Sequence, residues 1–273
     1  MSEAKLVFIG GGNMATSLIG GLIEKGYPTD RIVVCDPLAE SGKRLESIFG
    51  ITTHTENTSA AAKADIIILA VKPQVMKTVA SNLAHALAHK PLVISIAAGI
   101  TAAALQSWLG AEVPIIRCMP NTPALVQSGA SGLFATALVN PTQRQQASDI
   151  LAAVGTVSWL NSEDDIDKVT ALSGSGPAYF FLVIEAMTEA GIKMGLDPET
   201  ARQLTLQTAL GAARMAIASD VDAGELRKRV TSPAGTTEKA INSLLENQLP
   251  EHFEQAITAA YDRAQEMAKE LTD

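Results

Sequence analysis

Up to residue 160 the chain alternates short, β-branched apolar runs with segments of helical periodicity, and this alternation limits the available folds more than any other feature. Lys5 to Gly10, Arg31 to Asp36, Ile51 to Thr55, Asp65 to Lys72, Leu92 to Ala98 and Ile115 to Pro120 read as strands. Several are continuously apolar, as IIILAV and LVISIAA show, which suits parallel strands covered on both faces. Helical spacing falls between them at about 13–25, 38–49, 58–64, 74–88 and 102–109. A helix at about 141–154 and a short strand, Thr156 to Leu160, complete the region. Connections from strand through helix to parallel strand are right-handed, so the pattern predicts an α/β fold with a doubly wound sheet.

Gly10-Gly11-Gly12-Asn13-Met14-Ala15 fits G-x-G-x-x-A between the first strand and the first helix, which makes the sheet Rossmann-type. Gly10 permits the tight turn, Gly12 lets a pyrophosphate approach the backbone, and Ala15 allows helix and strand to touch. The helix N-terminus adds N–H donors and the positive end of its dipole. Asp36 ends the second strand, where a carboxylate accepts hydrogen bonds from an adenosine ribose and repels a 2′-phosphate. Ser41, Lys43 and Arg44 follow with a hydroxyl and two cations that suit such a phosphate, so the segment leaves NAD and NADP both open. Two further turns, Ala70-Val71-Lys72-Pro73 and Met119-Pro120-Asn121-Thr122-Pro123, fall at strand carboxyl ends, where open α/β sheets bind ligands.

After Asn161 the pattern becomes helical, broken at SGSGP (173–177), GLDP (195–198), DVDAG (220–224) and TSPAG (231–235). The expected division is therefore a dinucleotide-binding domain over 1–161 and an all-helical domain over 162–273. Ser173 to Pro177 and Thr231 to Thr237 each read as a loop opening a helix, with N–H groups and hydroxyls suited to a carboxylate. The last helix places Phe253, Ile257, Tyr261 and, less regularly, Met267 on one side. A small Ala/Gly-rich helical domain of this kind invites dimerisation by helix packing.

With 29 acids against 21 bases the formal charge is −8, and no Lys/Arg block is present, which argues against nucleic acid or an anionic membrane as partner. The N-terminus lacks a basic stretch followed by an apolar segment, and no run approaches the roughly 20 apolar residues of a spanning helix, so a cytoplasmic protein is expected. Cys35 and Cys118 read as buried thiols. His85 and His89 stand four apart without a third ligand, so no metal site is expected. No G-x-S-x-G occurs, and Ser175 has no neighbouring histidine to activate it.

FIGGGNMA, LAVKPQ, SIAAGI, RCMPNTPALV, ALSGSGPAYFF and above all VTSPAGTTEKAI resemble, in order and across nearly the whole chain, the motifs of the Δ1-pyrroline-5-carboxylate reductase family. The resemblance implies reduction of 1-pyrroline-5-carboxylate to L-proline with NADPH or NADH, the last step of proline synthesis. It also implies a homodimer formed through the helical domain and assembly into decamers. Carried over by motif, it places Ile9, Gly10, Gly11, Gly12, Asn13 and Met14 on the pyrophosphate. Asp36 and Asn57 fall near the adenosine end, and Val71, Lys72, Pro73 and Ala98 along the rest of the dinucleotide. Thr237 matches the catalytic threonine at the substrate ring nitrogen; Ser232, Gly235 and Thr236 match the loop holding the carboxylate, and Glu163 an acidic position at the substrate. Three departures stand out: Asp36 replaces a small hydroxyl residue, Asp222-Ala223 replaces His-Pro, and Ala234 replaces the second glycine of SPGGTT. Two other functions remain open on the residues alone. One is a 3-hydroxy acid dehydrogenase using Lys168 or Lys193, although neither lies in a matching glycine-rich motif. The other is a dinucleotide-binding regulator without turnover.

Overall fold

The computed structural model describes residues 4–110 and 112–272. One compact unit runs up to Ser175 and takes in the chain from Ala260 onward; Gly176–Ala259 forms the other. Contacts thus carry the first unit past the expected division at 161/162 and return part of the last helix to it.

The first unit holds strands β1 (Leu6–Ile9), β2 (Ile32–Cys35), β3 (Thr52–His54), β4 (Ile66–Leu69), β5 (Leu92–Ser95), β6 (Ile115–Met119), β7 (Gly129–Ala135) and β8 (Gly155–Trp159). They form one sheet in the order β3-β2-β1-β4-β5-β6-β7-β8, parallel through β6. Helices α1 (Asn13–Glu24), α2 (Ala39–Phe49), α3 (Thr58–Ala61), α4 (Pro73–Leu83), α5 (Ala102–Leu109), α6 (Pro141–Leu151) and α7 (Asp165–Val169) accompany them. Alternate residues of one strand feed opposite cores. Leu6, Phe8, Ile66 and Ile68 pack with Leu18 and Leu22 of α1, whereas Val7, Ile9, Ile67 and Leu69 pack with Met76 of α4 and Leu105 of α5. Both faces are dry, which is why these strands read as unbroken apolar runs.

Two elements depart from the sequence expectation. β7, with the sequence GASGLFA, lies antiparallel to β6 and pairs Leu133 with Cys118. Its small residues conceal it from any hydrophobic pattern, yet the packing demands them. A Cβ on Gly132 would lie 2.9 Å from the Val169 side chain, and one on Gly129 2.9 Å from the Val154 carbonyl oxygen.

The second departure concerns SGSGP: an apolar helix opens at Gly176 with Pro177 in its first turn, as expected, but a helical turn rather than a loop leads into it. Residues Asp165–Lys193 form one helical run, with a π-helical turn over Thr170–Gly174 closed by Ser175 N–H donating to Thr170 O at 2.8 Å. Pro177 lacks the N–H that α-helical geometry would send to Ser173 O. Asn121 Nδ2 donates to that carbonyl instead, at 3.0 Å, while its Oδ1 accepts from Ala130 N. The run is also long and apolar enough, by length and composition alone, to cross a membrane, which the sequence reading did not anticipate.

The second unit is helical, with α8 (Gly176–Lys193), α9 (Pro198–Ala218), α10 (Ala223–Arg229), α11 (Thr236–Glu246) and the start of α12 (Leu249–Thr272). Asp197 caps α9 and Asp222 caps α10, the latter through a 2.8 Å bond from Glu225 N. The aspartate standing where the resembled family has histidine therefore has a local structural task. Phe180, Phe181, Leu182, Met187, Leu204 and Met215 are exposed on this unit taken by itself.

Candidate active site

The candidate cofactor residues come together at one edge of the sheet. The strand order reverses between β1 and β4, and the carboxyl ends of β1 to β5 face the crevice that such a reversal opens. Gly10 leaves β1 at φ +102°, donating its N–H to Cys35 O at 2.8 Å. A Cβ there would lie 2.7 Å from Ala70 O, so the turn and the end of β4 can approach only through glycine. Gly12 is the N-cap of α1 and has no side-chain cap. A Cβ on it would meet nothing within 4 Å. The N–H groups of Asn13 and Met14 have no partner from a preceding turn, and the face beside Gly12 is open for an anion to reach them.

Asp36 follows β2 and bonds to backbone on both sides. Its Oδ2 accepts from Gly11 N at 2.8 Å and its Oδ1 from Leu38 N at 2.9 Å. Arg44 of α2 reaches across the same turn, with Nη2 3.5 Å from Gly11 O and 3.3 Å from Thr16 Oγ1. Asp36, Lys43, Glu46, Thr53 and His54 help to line an open cavity of about 330 Å³. Asn57, beyond β3, has a buried Oδ1 with no hydrogen-bond partner. At the end of β4, Lys72 caps α4 and Pro73 takes its first position. Ala98 lies beyond β5, beside Gly99 at φ +72°. An open glycine face and an orphaned amide acceptor on loops after β1 and β3, at the carboxyl ends of the sheet, suit a dinucleotide, whose diphosphate needs backbone donors and whose adenosine carries donors of its own.

Buried Arg117 pairs with Glu163, which is only partly buried. Glu163 Oε1 accepts from Arg117 Nη1 at 2.8 Å and from Ala102 N, at the opening of α5, at 2.7 Å. Arg117 is 4% exposed, and its Nη2 is buried without a partner. Burial pushes the Asp167 carboxyl upward, against the lowering influence of Arg117. Neither cysteine suits chemistry: burial raises Cys35 to about 11 and Cys118 to about 12, leaving both as thiols. Lys168 pairs with Asp165 at 2.7 Å and Lys193 with Glu189 at 3.8 Å, so neither lysine stands as a free base.

Within the second unit, the chain enters α11 through a tight turn. Gly235 N–H donates to Ser232 O at 3.0 Å, and Ala234 has φ +60°. With φ of Pro233 fixed by its ring, this is a type II turn whose third residue is normally Gly or Asn. Gly235 caps α11 without a side-chain bond, so the N–H groups of Thr236 and Thr237 open the helix unpaired by any earlier turn. Glu238 reaches back, its Oε2 accepting from Ala234 N at 2.8 Å. Sequence reasoning missed Arg117 and Glu238 as organisers of these sites, and it placed Asn121 in a turn expected to meet ligand, whereas its side chain bonds to Ser173 O and Ala130 N. A lone arginine inside the apolar run IIRCM was the available signal for Arg117.

A doubly wound sheet with this glycine turn, followed by a helical domain, defines an NAD(P)-dependent oxidoreductase. The family described as pyrroline-5-carboxylate reductase dimerisation matches residues 163–267, and that described as NADP oxidoreductase, coenzyme F420-dependent, matches residues 5–99. A pyrroline-5-carboxylate reductase of Pseudomonas aeruginosa is 54% identical over 271 residues, 99% of either chain. The structure of a pyrroline-5-carboxylate reductase from Coxiella burnetii matches with a TM-score of 0.94 at 46% identity, covering 98% of this chain and 99% of that one. A Plasmodium falciparum pyrroline carboxylate reductase with NADP bound matches at 0.87 and 32% identity, again covering 98% and 99%. The chain belongs to the pyrroline-5-carboxylate reductase family.

Proposed function

We propose that the protein reduces 1-pyrroline-5-carboxylate to L-proline, the closing step of proline synthesis, in the cytoplasm. The observation that carries the substrate assignment is the opening of α11, where a tight turn delivers unpaired N–H groups and two threonine hydroxyls to one helix end. Such an end binds a carboxylate with charge-assisted bonds and needs no arginine. Ser232, Gly235 and Thr236 hold the carboxylate, and Thr237 holds the ring nitrogen. Glu163 keeps Oε2 free of the bonds made by Oε1 and contributes it to the substrate.

NAD(P)H supplies a hydride when bound, which adds to the imine carbon while the protonated ring nitrogen keeps its proton and becomes the amine of proline. Ile9 to Met14 hold the diphosphate, Asp36 and Asn57 the adenosine end, and Val71, Lys72, Pro73 and Ala98 the remainder. The contribution of the chain is orientation and control of protonation. An alcohol is a weak acid, so Thr237 orients the nitrogen or relays a proton from water.

The division of labour follows the sequence: residues 1–161 carry the dinucleotide and 162–273 the substrate and the dimer contact. The exposed Phe180, Phe181, Leu182 and Met187 are covered by a second copy rather than by lipid, and the dimers assemble into decamers. Two free, buried cysteines suit a reducing compartment. Oxidation of NADPH and of NADH is measured with 1-pyrroline-5-carboxylate, with wild type and Thr237→Ala. We expect turnover by wild type and a loss of about 100-fold or more in kcat for the variant, with NAD(P)H binding intact. No turnover with either reductant would overturn the activity; an unchanged variant would remove Thr237 from the mechanism. Light scattering in detergent-free buffer tests the dimer and the decamer.

A further inference from the structure

Ala234 holds a backbone conformation that its own side chain disfavours. At φ +60° it lies in the left-handed region, where an L-residue is populated roughly tenfold less than in the right-handed one. The same four residues, Ser232 to Gly235, close equally well as a type I turn, with the φ of Pro233 unchanged and Ala234 near −90°. The two turns differ by a rotation of the Pro233–Ala234 peptide, which exchanges the directions of the Pro233 carbonyl and the Ala234 N–H. In the observed turn that N–H points at Glu238, whose Oε2 accepts it at 2.8 Å. Glu238 belongs to the first turn of α11. A flipped peptide would therefore aim the Pro233 carbonyl at the same helix end, adding partial negative charge where the donors stand.

We propose that Glu238 is a positioning residue: its carboxylate holds the Pro233–Ala234 peptide in the type II orientation, so that the first-turn N–H groups of α11 meet the substrate carboxylate without a competing carbonyl. The proposal rests on the assignment of the SPAGTT turn to substrate. Glycine at position 234 would adopt the turn unaided, whereas alanine depends on the tether. Glu238 and Ala234 are thus energetically coupled.

Steady-state kinetics of the full chain test this, with 1-pyrroline-5-carboxylate varied at saturating reductant, on Glu238→Ala, Glu238→Gln, Ala234→Gly and the Glu238→Ala/Ala234→Gly pair. Glu238→Ala is expected to raise KM for the imine about tenfold, because only the type II fraction binds. Its kcat and its KM for reductant should stay within about twofold. Gln keeps an acceptor oxygen and should remain within about threefold of wild type, and Ala234→Gly should return the Glu238→Ala enzyme to that range. An unchanged or lowered KM in Glu238→Ala, or a double variant no better than it, overturns the proposal. Thr237→Ala run alongside separates the two assignments. If it loses turnover while Glu238→Ala behaves as wild type, the positioning role alone fails; if both behave as wild type, the substrate assignment of the turn fails as well.

Discussion

The Asp36 carboxylate accepts a 2.8 Å hydrogen bond from the backbone N–H of Gly11. With its second bond, from Leu38 N at 2.9 Å, this fastens a negative charge between the glycine turn and the end of β2. A ribose 2′-hydroxyl can still donate to the remaining lone pairs, but a 2′-phosphate would meet like charge. Arg44, lying over the same turn, offsets part of that repulsion. We expect Asp36→Ser to raise the ratio of kcat/KM for NADPH over NADH by about tenfold or more, since a repulsion near 1.4 kcal/mol is modest for charges at this range. Steady-state kinetics with both reductants measure it; a ratio that does not move would mean that Asp36 does not face the ribose.

Gly10 and Gly12 make opposite predictions although both belong to the fingerprint. Gly10→Ala forces a methyl to 2.7 Å from Ala70 O at φ +102°, and should cost about 3 kcal/mol or more of folding stability. The Gly12 backbone, at φ −71° and ψ −176°, accepts alanine, and the new methyl would meet only open space. Gly12→Ala should therefore cost no more than about 1 kcal/mol as a poorer N-cap. It should nevertheless weaken NAD(P)H binding by about tenfold or more, because the methyl fills the side from which the diphosphate approaches. Thermal melts and fluorescence titration separate the two; a Gly12→Ala protein that binds reductant normally would place the diphosphate elsewhere.

What the sequence showed of this molecule was what repeats or is exclusive. Continuous apolar runs such as IIIL in β4 reveal strands covered on both faces, and Gly10-Gly11-Gly12 reveals a turn few other residues can make. β7 stayed hidden because the close approach of Val169 and Val154 demands small residues, which carry no hydrophobic signal. SGSGP misled because Gly and Pro usually end helices. Here a side chain 52 positions away supplies the bond that proline omits, and no local pattern contains that partner. The left-handed Ala234 was equally out of sight, since its conformation is set by Pro233 and Glu238 together.

That distant bond can be tested directly. Asn121→Ala leaves Ser173 O and Ala130 N without their side-chain partner, and should cost about 2–3 kcal/mol in urea unfolding. Pro177→Ala restores an N–H able to reach Ser173 O. Added to Asn121→Ala it should recover about 1 kcal/mol, while on its own it should do less, because Asn121 already fills the position. Strict additivity of the two substitutions would show that Asn121 does not stand in for the missing proline N–H.

Glu163 has two tasks that can be pulled apart. Its Oε1 neutralises Arg117, whose side chain is 5% exposed, and caps the opening of α5 through Ala102 N. Glu163→Ala strands the guanidinium in a dry site and should cost about 3 kcal/mol. Replacing both partners, as Arg117→Met with Glu163→Leu, removes the buried charge together with its counter-ion and should recover most of that loss. The paired variant then isolates the role of Oε2. If Glu163 touches only protein, the repacked enzyme will show wild-type KM for 1-pyrroline-5-carboxylate. If Oε2 serves the substrate, as proposed, stability returns while KM stays raised by about tenfold, the worth of a charge-assisted bond of ~1.5 kcal/mol. Urea unfolding and steady-state kinetics on the same three proteins decide between these outcomes.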